Sequence, residues 1–216
     1  IMQEFGIVAV ADGMGGHIDG NIASQIAVDT LYENYKDRYN EILKESPEIS
    51  EILKKSEDFL KESVQSANVN IFSKNKGSFT LEGMGTTIVA LQIIDKYALT
   101  ACVGDSRIYL IREGKISQIT QDHSLVGELV RYNIIAEQDA LFLQNKNIIT
   151  RALGMSEHVL VDTTYREILN GDVFLLCSDG LTDPLNDKLL EDIVCQYAFN
   201  DLQKAVDVLV EEANNG

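Results

Sequence analysis

Residues 5–20 of the chain read FGIVAVADGMGGHIDG, an apolar run that ends in an aspartate and a cluster of glycines. The apolar, β-branched part predicts a strand over 5–11 that is buried on both faces. Asp12 stands where this strand ends, and a carboxylate there is costly to desolvate unless a cation or hydrogen-bond donors meet it. Apolar residues at helical spacing over 21–35 predict a helix after the glycines. The stretch therefore predicts a strand, a carboxylate, a glycine turn and a helix.

Three interpretations of this stretch are open. The first is a tight turn whose aspartate caps the helix. The second is a dinucleotide-binding turn, which fits poorly because Ile18 stands where the third fingerprint glycine belongs, and an acid before the glycines would repel a pyrophosphate. The third is a metal centre held by carboxylates, which requires further aspartates from elsewhere in the chain.

Further aspartates follow two other strand-like runs. The run YALTACV at 97–103 leads into Asp105, and the run VFLLC at 173–177 leads into Asp179 and then Asp183. Hard divalent cations such as Mg²⁺ and Mn²⁺ prefer oxygen ligands, and Mg²⁺ keeps several waters, so a few carboxylates and one backbone carbonyl suffice. The repeated pattern favours the metal-centre interpretation.

The rest of the chain predicts a mixture of helices and antiparallel strands. Short turns between β-branched runs are typical of an antiparallel meander. The predicted helices lie at 48–74, at 187–197 with Asn186 as cap, and at 202–213 with Asn200 as cap and Leu202, Ala205, Val206 and Leu209 as its apolar stripe. The remaining predicted strands lie at 86–94, 107–111, 116–119 and 158–166.

An ordered set of motifs resembles that of a known enzyme family. The motifs are ADGMGGH at 11–17, GMGTT at 83–87, VGDSR at 103–107, DHSLV at 122–126, TRALG at 150–154 and CSDGLTD at 177–183. Each motif is weak singly, but in this order they closely resemble the bacterial branch of the metal-dependent type 2C serine/threonine protein phosphatases. The resemblance implies an α+β fold, a four-layer α-β-β-α sandwich of two antiparallel sheets flanked by helices.

The resemblance also implies a metal centre of two to three Mn²⁺ or Mg²⁺ ions. Asp12 and Asp179 match aspartates that ligate metal and act in catalysis through a metal-activated water. The Gly13 carbonyl matches another ligand. Asp105 matches a ligand of a third, weaker site, and Asp183 matches a position in its outer shell. The reaction implied is hydrolysis of phosphoserine and phosphothreonine in proteins, for which no side-chain nucleophile is required.

The substrate-selecting segment and the general acid are less well defined by the motifs. The family has a variable flap where this chain has residues 122–147, so we expect substrate choice there. The family's eukaryotic branch has a proposed general-acid histidine at the position of Met14, which cannot donate a proton. Of the nearby candidates His17, His123 and water, we favour water. We expect His123 to cap a helix or satisfy a buried carbonyl, and Arg107 to form an ion pair.

Composition restricts the partners. Lys and Arg number 18 against 34 Asp and Glu, which gives a net charge of −16. Nucleic acid and anionic membranes bind basic surfaces, so neither is expected as a partner. The three cysteines lie on apolar strands or a helix, without a phosphate-binding loop around them, and indicate packed thiols in a reducing compartment, hence the cytoplasm. We expect a monomer that acts on phosphorylated proteins, a serine/threonine kinase among them.

The motifs cover nearly the whole chain, so residues 1–216 are expected to form a single phosphatase catalytic domain. In the family, an earlier segment supplies an arginine that grips phosphate and an acid that binds metal, and a later strand carries a metal-binding Asp-Asn pair. These positions are not in the sequence, so we expect a domain that is incomplete at both ends. The alternative function is a catalytically degenerate module that binds or senses.

Overall fold

The structure, a computed structural model, describes residues 1–15, 17–45, 48–76, 83–136 and 148–216. Its helices are α1 (His17–Glu45), α2 (Ile49–Lys76), α3 (Leu125–Arg131), α4 (Asp179–Thr182), α5 (Asp187–Tyr197) and α6 (Leu202–Asn215). Its strands are β1 (Ile7–Val10), β2 (Gly13–Met14), β3 (Gly85–Thr86), β4 (Ile88–Ile94), β5 (Tyr97–Val103), β6 (Arg107–Arg112), β7 (Lys115–Gln118), β8 (Asp162–Glu167) and β9 (Val173–Cys177). A 3₁₀ turn (Gln3–Phe5) precedes β1.

The strands pair in antiparallel fashion. One sheet has four strands in the order β1-β4-β5-β8, another has three in the order β7-β6-β9, and β2 pairs with β3 in a short ribbon. The register places Val10 beside Val89 and Val103 beside Ile88. The end of β1 and the end of β5 therefore lie on either side of the beginning of β4, which brings the residues that follow them together.

Hydrophobic clusters fill the spaces between successive layers. One cluster, which contains Leu31, packs α1 and α2 against the four-stranded sheet. A second lies between the two sheets, with Val89 on one side and Ile108 on the other. A third, with Tyr109 and Leu209, packs α5 and α6 against the three-stranded sheet. The order of helices, sheet, sheet and helices confirms the four-layer α-β-β-α sandwich.

Several predicted elements match those observed. The strands at 97–103 and 173–177 and the helix at 187–197 have the predicted bounds, and the Asn186 side chain accepts a hydrogen bond from the Leu189 N–H as a helix cap. The strand predicted over 5–11 is shorter, because Gly6 adopts a left-handed conformation that closes the 3₁₀ turn before it. The helix predicted over 21–35 runs from His17 to Glu45, and the strand predicted over 158–166 is Asp162–Glu167.

The last helix differs from its prediction in its cap and in its buried face. Asp201, not Asn200, is the cap, and its side chain accepts from the Lys204 N–H. Ala205 and Leu209 are buried, whereas Leu202 is 66% exposed and Val206 49% exposed. Residues four apart share a helix face, so the face that Ala205 and Leu209 define is narrower than the predicted stripe.

Two further observations concern the chain as a whole. Within the described residues, no helix combines the length and apolar character needed to cross a bilayer. Cys102, Cys177 and Cys195 are free thiols, as expected.

Candidate metal centre

The main chain of Asp12 is fixed by the GMGTT motif. The Thr87 N–H donates to the Asp12 carbonyl at 2.8 Å, and the Thr86 hydroxyl donates to the same oxygen at 2.8 Å. The Asp12 N–H donates to Thr87 Oγ1 at 3.0 Å. Because both backbone polar groups of Asp12 are bound, the start of its side chain is held in place at the end of β1. The motif was recognised in the sequence, but the role of its threonines was not.

The glycine turn lies directly against the first turn of α1. A Cβ built on Gly13 would lie 1.9 Å from the Gly20 carbonyl oxygen, and one built on Gly20 would lie 2.7 Å from the Gly13 oxygen. Only glycine permits such a close approach of two backbones.

Asp105 lies in the turn between β5 and β6 and is only 9% exposed. Burial raises the pKa of its carboxyl to about 6, and the charges of Asp179 and Asp122 contribute in the same direction. An ionised carboxylate in such a place is stabilised when a cation lies nearby.

Asp179 begins the short helix α4, directly after β9. Burial raises the pKa of its carboxyl, and so do the charge of Asp12, a hydrogen-bond contact with the Asp12 side chain, and the charge of Asp183. Asp183 lies one turn later, and its N–H donates to the Asp179 carbonyl at 2.8 Å. Asp179 thus lies among carboxylates that come from separate parts of the chain.

Asp179 interacts separately with two of the other predicted ligands, Asp12 and Asp105. Its side chain meets that of Asp12, and its charge acts on Asp105. In the part of the chain that the structure describes, no three His, Cys, Asp or Glu side chains are grouped closely enough to hold one ion. Paired acidic oxygens with like-charge repulsion suit hard divalent cations that retain water in their coordination shell, so these residues fit Mg²⁺ or Mn²⁺.

His123 has a structural position rather than that of an exposed acid. It is buried, and its Nδ1 accepts a hydrogen bond from the Gly104 N–H at 3.0 Å. Its Nε2 lies 3.1 Å from an oxygen of Asp162. Burial lowers the pKa of the imidazole. The prediction of a structural role was right in kind, but the group that His123 satisfies is an N–H and not a carbonyl. The cap of α3 is its neighbour Ser124, whose side chain accepts from the Gly127 N–H.

Arg107 is held by a neighbouring carboxylate. Its Nε lies 3.1 Å from both oxygens of Asp122, and its Nη2 lies 2.7 Å from one of them. The predicted ion pair is confirmed, and this guanidinium is committed to Asp122.

The cysteines have the character expected of packed thiols. Cys102 and Cys177 are buried, and burial raises the pKa of the Cys102 thiol far above its usual range and that of Cys177 to about 12. A thiol is a strong nucleophile only as its thiolate, so neither resembles a catalytic cysteine.

The remaining predicted site residues are described in part. Met14 lies in β2 and lines a pocket of about 320 Å³ together with Arg151 and Leu160. His17 begins α1, but its side chain lies outside the described part of the structure. Of the predicted flap at 122–147, residues 122–136 are described and include α3, and residues 137–147 lie outside the described residues.

Comparisons with known proteins identify the family of the chain. A family model described as protein phosphatase 2C matches residues 2–212. The serine/threonine phosphatase stp of Listeria welshimeri is 39% identical over 209 residues, which are 97% of this chain and 79% of that protein. The solved structure of the S. agalactiae serine/threonine phosphatase has a TM-score of 0.83 at 34% identity, covering 97% of this chain and 81% of that one.

A second solved structure contains metal. It is the catalytic domain of the serine/threonine protein phosphatase PstP in complex with two manganese ions, with a TM-score of 0.77 at 32% identity, covering 96% of this chain and 80% of that one. The family model spans nearly the whole chain, and its relatives share both sequence and fold. The chain therefore belongs to the protein phosphatase 2C family.

Proposed function

We propose that this protein hydrolyses phosphoserine and phosphothreonine in proteins with the help of two to three bound Mn²⁺ or Mg²⁺ ions. The observation that carries the proposal is the contact between the Asp12 and Asp179 carboxylates, with Asp105 coupled to Asp179. Asp179 interacts with acids from two other strand ends, in a chain that is 39% identical to a protein named serine/threonine phosphatase. Placing these carboxylates close together is energetically unfavourable without a cation, which supports a metal-binding role for them.

We assign the roles as follows. Asp12 and Asp179 hold the catalytic ions, with the Gly13 carbonyl as a further ligand, and Asp105 and Asp183 hold or support a third. Divalent ions, when bound at such a place, lower the pKa of water and neutralise charge on the phosphoryl oxygens. The chain's own contribution is to fix these oxygens at strand ends that are half-buried at Asp12 and Asp179 and buried at Asp105, where electrostatic interactions are stronger than in water.

We infer that water protonates the leaving serine or threonine oxygen. Met14 has no proton to donate. The two ring nitrogens of His123 are already engaged by the Gly104 N–H and by Asp162. pH–rate profiles of His123→Asn and of His17→Ala that both retain the two limbs of the parent profile support this assignment, and the loss of a limb in either variant overturns it.

The test of the main proposal is hydrolysis of p-nitrophenyl phosphate and of a phosphothreonine peptide by the full chain, with Mn²⁺ and with chelator. We expect turnover that requires Mn²⁺ and that Asp179→Asn abolishes. Turnover that survives chelation would contradict a metal-dependent mechanism. Mn²⁺ binding without turnover of either substrate would favour the degenerate module that senses or binds.

We further infer that the substrates include a serine/threonine kinase and that the protein works in the cytoplasm. The support is the family and the three free thiols, which persist in reducing compartments. Dephosphorylation of an autophosphorylated kinase from the same cell by the purified protein tests the first inference. A kinase that keeps its phosphate after overnight incubation with active enzyme would contradict it.

A further inference from the structure

Thr87 lies between β3 and β4 and is 2% exposed. It is bound to both main-chain groups of Asp12: its N–H donates to the Asp12 carbonyl at 2.8 Å, and its Oγ1 accepts from the Asp12 N–H at 3.0 Å. The hydroxyl oxygen is therefore fixed on the side that faces the end of β1.

The same hydroxyl also reaches the turn that carries Asp105. Thr87 Oγ1 and Ser106 Oγ are 2.7 Å apart, and Ser106 is 1% exposed. The Thr87 methyl packs against Gly104, since a Cβ built on that glycine would lie 2.6 Å from Thr87 Cγ2. One side chain thus touches the residue before Asp105 by packing and the residue after it by a hydrogen bond.

We propose that Thr87 is a positioning residue that fixes the Asp12 and Asp105 carboxylates relative to each other, and that divalent-cation binding depends on its hydroxyl. The proposal rests on the proposed function only in that these carboxylates bind a cation. The register supplies the reason for the placement: β4 lies between β1 and β5, so the residue just before β4 is the one that can reach both strand ends.

The hydroxyl, and not merely the volume, carries this role. Valine in place of Thr87 has nearly the same shape but leaves the Asp12 N–H and the Ser106 hydroxyl without their partner in a buried place, so both segments have a reason to shift. Serine in place of Thr87 keeps the oxygen and removes only the methyl that packs on Gly104.

The chain offers a matched control in Thr100. This residue is also 2% exposed, lies on β5 of the same sheet, and donates its hydroxyl to the Thr164 carbonyl at 3.2 Å. Thr100→Val therefore loses a hydroxyl of the same burial without touching Asp12 or the Asp105 turn. Any general effect of burying a valine in this sheet appears in both variants.

The experiment is a titration of the full chain with Mn²⁺. Binding is measured by isothermal calorimetry and by the electron paramagnetic resonance signal of the free ion. We expect Thr87→Val to bind Mn²⁺ about 10- to 100-fold more weakly, the usual effect of removing a group that orients metal ligands. Thr87→Ser should recover most of the affinity, and Thr100→Val should stay within about twofold of the parent. Parent-like binding by Thr87→Val overturns the proposal, and so does an equal loss in Thr100→Val.

A second variant keeps the proposal testable if Thr87→Val does not fold. Ser106→Ala removes the same hydrogen bond from its other end, and it should weaken Mn²⁺ binding in the same direction. Where both fold, their combined effect should be smaller than the sum of the single effects, because they break one shared contact. Strict additivity would contradict a hydrogen bond that couples the two segments.

A readout without metal separates this inference from the proposed function. In amide NMR spectra recorded in chelator, Thr87→Val should shift the amide signals of both Asp12 and Asp105, and Thr100→Val should shift neither. Changes confined to Asp12 would overturn the coupling. If the parent binds Mn²⁺ but hydrolyses no phosphoester, the proposed function fails while the positioning role stands. If the parent binds no Mn²⁺, both fail.

Discussion

The strand end that carries Asp12 and the strand end that carries Asp179 are built differently. Around Asp12, strands β4 and β5 are almost wholly buried, and the side chains of Thr86 and Thr87 bind its main chain. Strands β1 and β9 are both mostly half-buried strands at the edges of their sheets, but Ser178 makes no side-chain bond to the helix that it precedes. Asp179 has local backbone contacts instead: its carbonyl accepts from the Asp183 N–H, and its carboxylate accepts from the Gly180 N–H.

The two strand ends therefore position a charged side chain in two different ways. At the Asp12 end, tertiary hydrogen bonds set the position, so the geometry is given before any ion arrives. At the Asp179 end, a single helical turn presents a carboxylate toward other carboxylates, and burial together with the charges of Asp12 and Asp183 raises the pKa of that carboxyl. Substitutions near Asp12 should therefore change metal binding through the position of the carboxylate, and substitutions near Asp179 should change it through charge.

The largest expected effect comes from neutralising these two carboxylates. Asp12→Asn and Asp179→Asn should each lower Mn²⁺-dependent hydrolysis by about 100-fold or more, since even outer-shell changes at metal sites cost 10- to 100-fold. Raising the Mn²⁺ concentration should restore part of the activity of Asp179→Asn and little of that of Asp12→Asn, because only the Asp179 turn can adjust. The measurement is the initial rate against Mn²⁺ concentration.

The control for this prediction is Asp207→Asn, a carboxylate on the exposed side of α6 that pairs with Gln203. It should leave the rate unchanged. If high Mn²⁺ restores the activity of Asp12→Asn and Asp179→Asn equally, the Asp12 end is no more rigidly held than the Asp179 end.

The sequence predicts that three aspartates lie near one another. Aspartates 12, 105 and 179 each follow an apolar strand. In an antiparallel meander the ends of successive strands alternate between the two ends of the sheet, so the strands alone do not place the three aspartates together. The order of the motifs, which matches that of the family, places them at the same end. The four-layer architecture followed from the same resemblance. In the structure Asp179 interacts with Asp12 and with Asp105, and the role of the three as metal ligands stays a prediction.

The supports of the site could not be predicted in the same way. Thr87 and Ser106 are 19 positions apart, and His123 and Asp162 are 39 apart, so each contact depends on register and on turns that no local pattern determines. The narrower buried face of α6 could not be predicted for a related reason. Leu202, Val206 and Leu209 are equally apolar in the sequence, and only packing against the sheet decides which of them is buried.

The second prediction tests the fixed end through His123, whose ring holds the Gly104 N–H beside Asp105. His123→Ala should lower the free energy of unfolding by about 1–3 kcal/mol, because the buried N–H loses its acceptor. His123→Asn should lose less, since its Oδ1 occupies the place of Nδ1. Denaturant titration in chelator measures both values.

The matched control for His123 is Asn68, whose Oδ1 accepts from the buried Gly154 N–H at 2.8 Å. Asn68→Ala should cost a similar free energy of unfolding but leave Mn²⁺ binding unchanged, whereas His123→Ala should weaken it. Equal Mn²⁺ affinity in the two variants would mean that His123 supports the fold and not the Asp105 turn.

A third, smaller effect concerns pH. The pKa of His123 is lowered in the fold by burial, which outweighs the opposing hydrogen bond to the Asp162 carboxylate, while Arg151 and Arg131 lower it further. The unfolded chain therefore binds a proton that the folded one does not, so this residue's stabilisation is complete above pH 6.5 and is lost as pH falls toward the lowered pKa. The loss is at most about 1.4 kcal/mol per pH unit.

The measurement is the free energy of unfolding of the parent and of His123→Asn from pH 7.5 to 5.5. The stability advantage of the parent should shrink as pH falls, because only the parent carries this titrating ring. An advantage that stays constant or grows would mean that the imidazole is protonated in the fold.

The smallest expected effect is on the stability of the metal-free protein, and it distinguishes charge from geometry at Asp179. In chelator at neutral pH, the Asp179 carboxylate lies beside Asp12 and is acted on by Asp183, so its charge opposes folding. Asp179→Asn should therefore raise the stability of the metal-free protein by about 0.5–1 kcal/mol after solvent screening, which is about 1–4 °C in melting temperature for a domain of this size. With Mn²⁺ added, the parent should gain more than the variant, because it binds the ion more tightly. Thermal unfolding with and without Mn²⁺ measures both changes, and Asp207→Asn should show neither. A lower melting temperature for Asp179→Asn in chelator would mean that this carboxylate stabilises the fold directly, and the two strand ends would then be alike in being fixed by their own contacts.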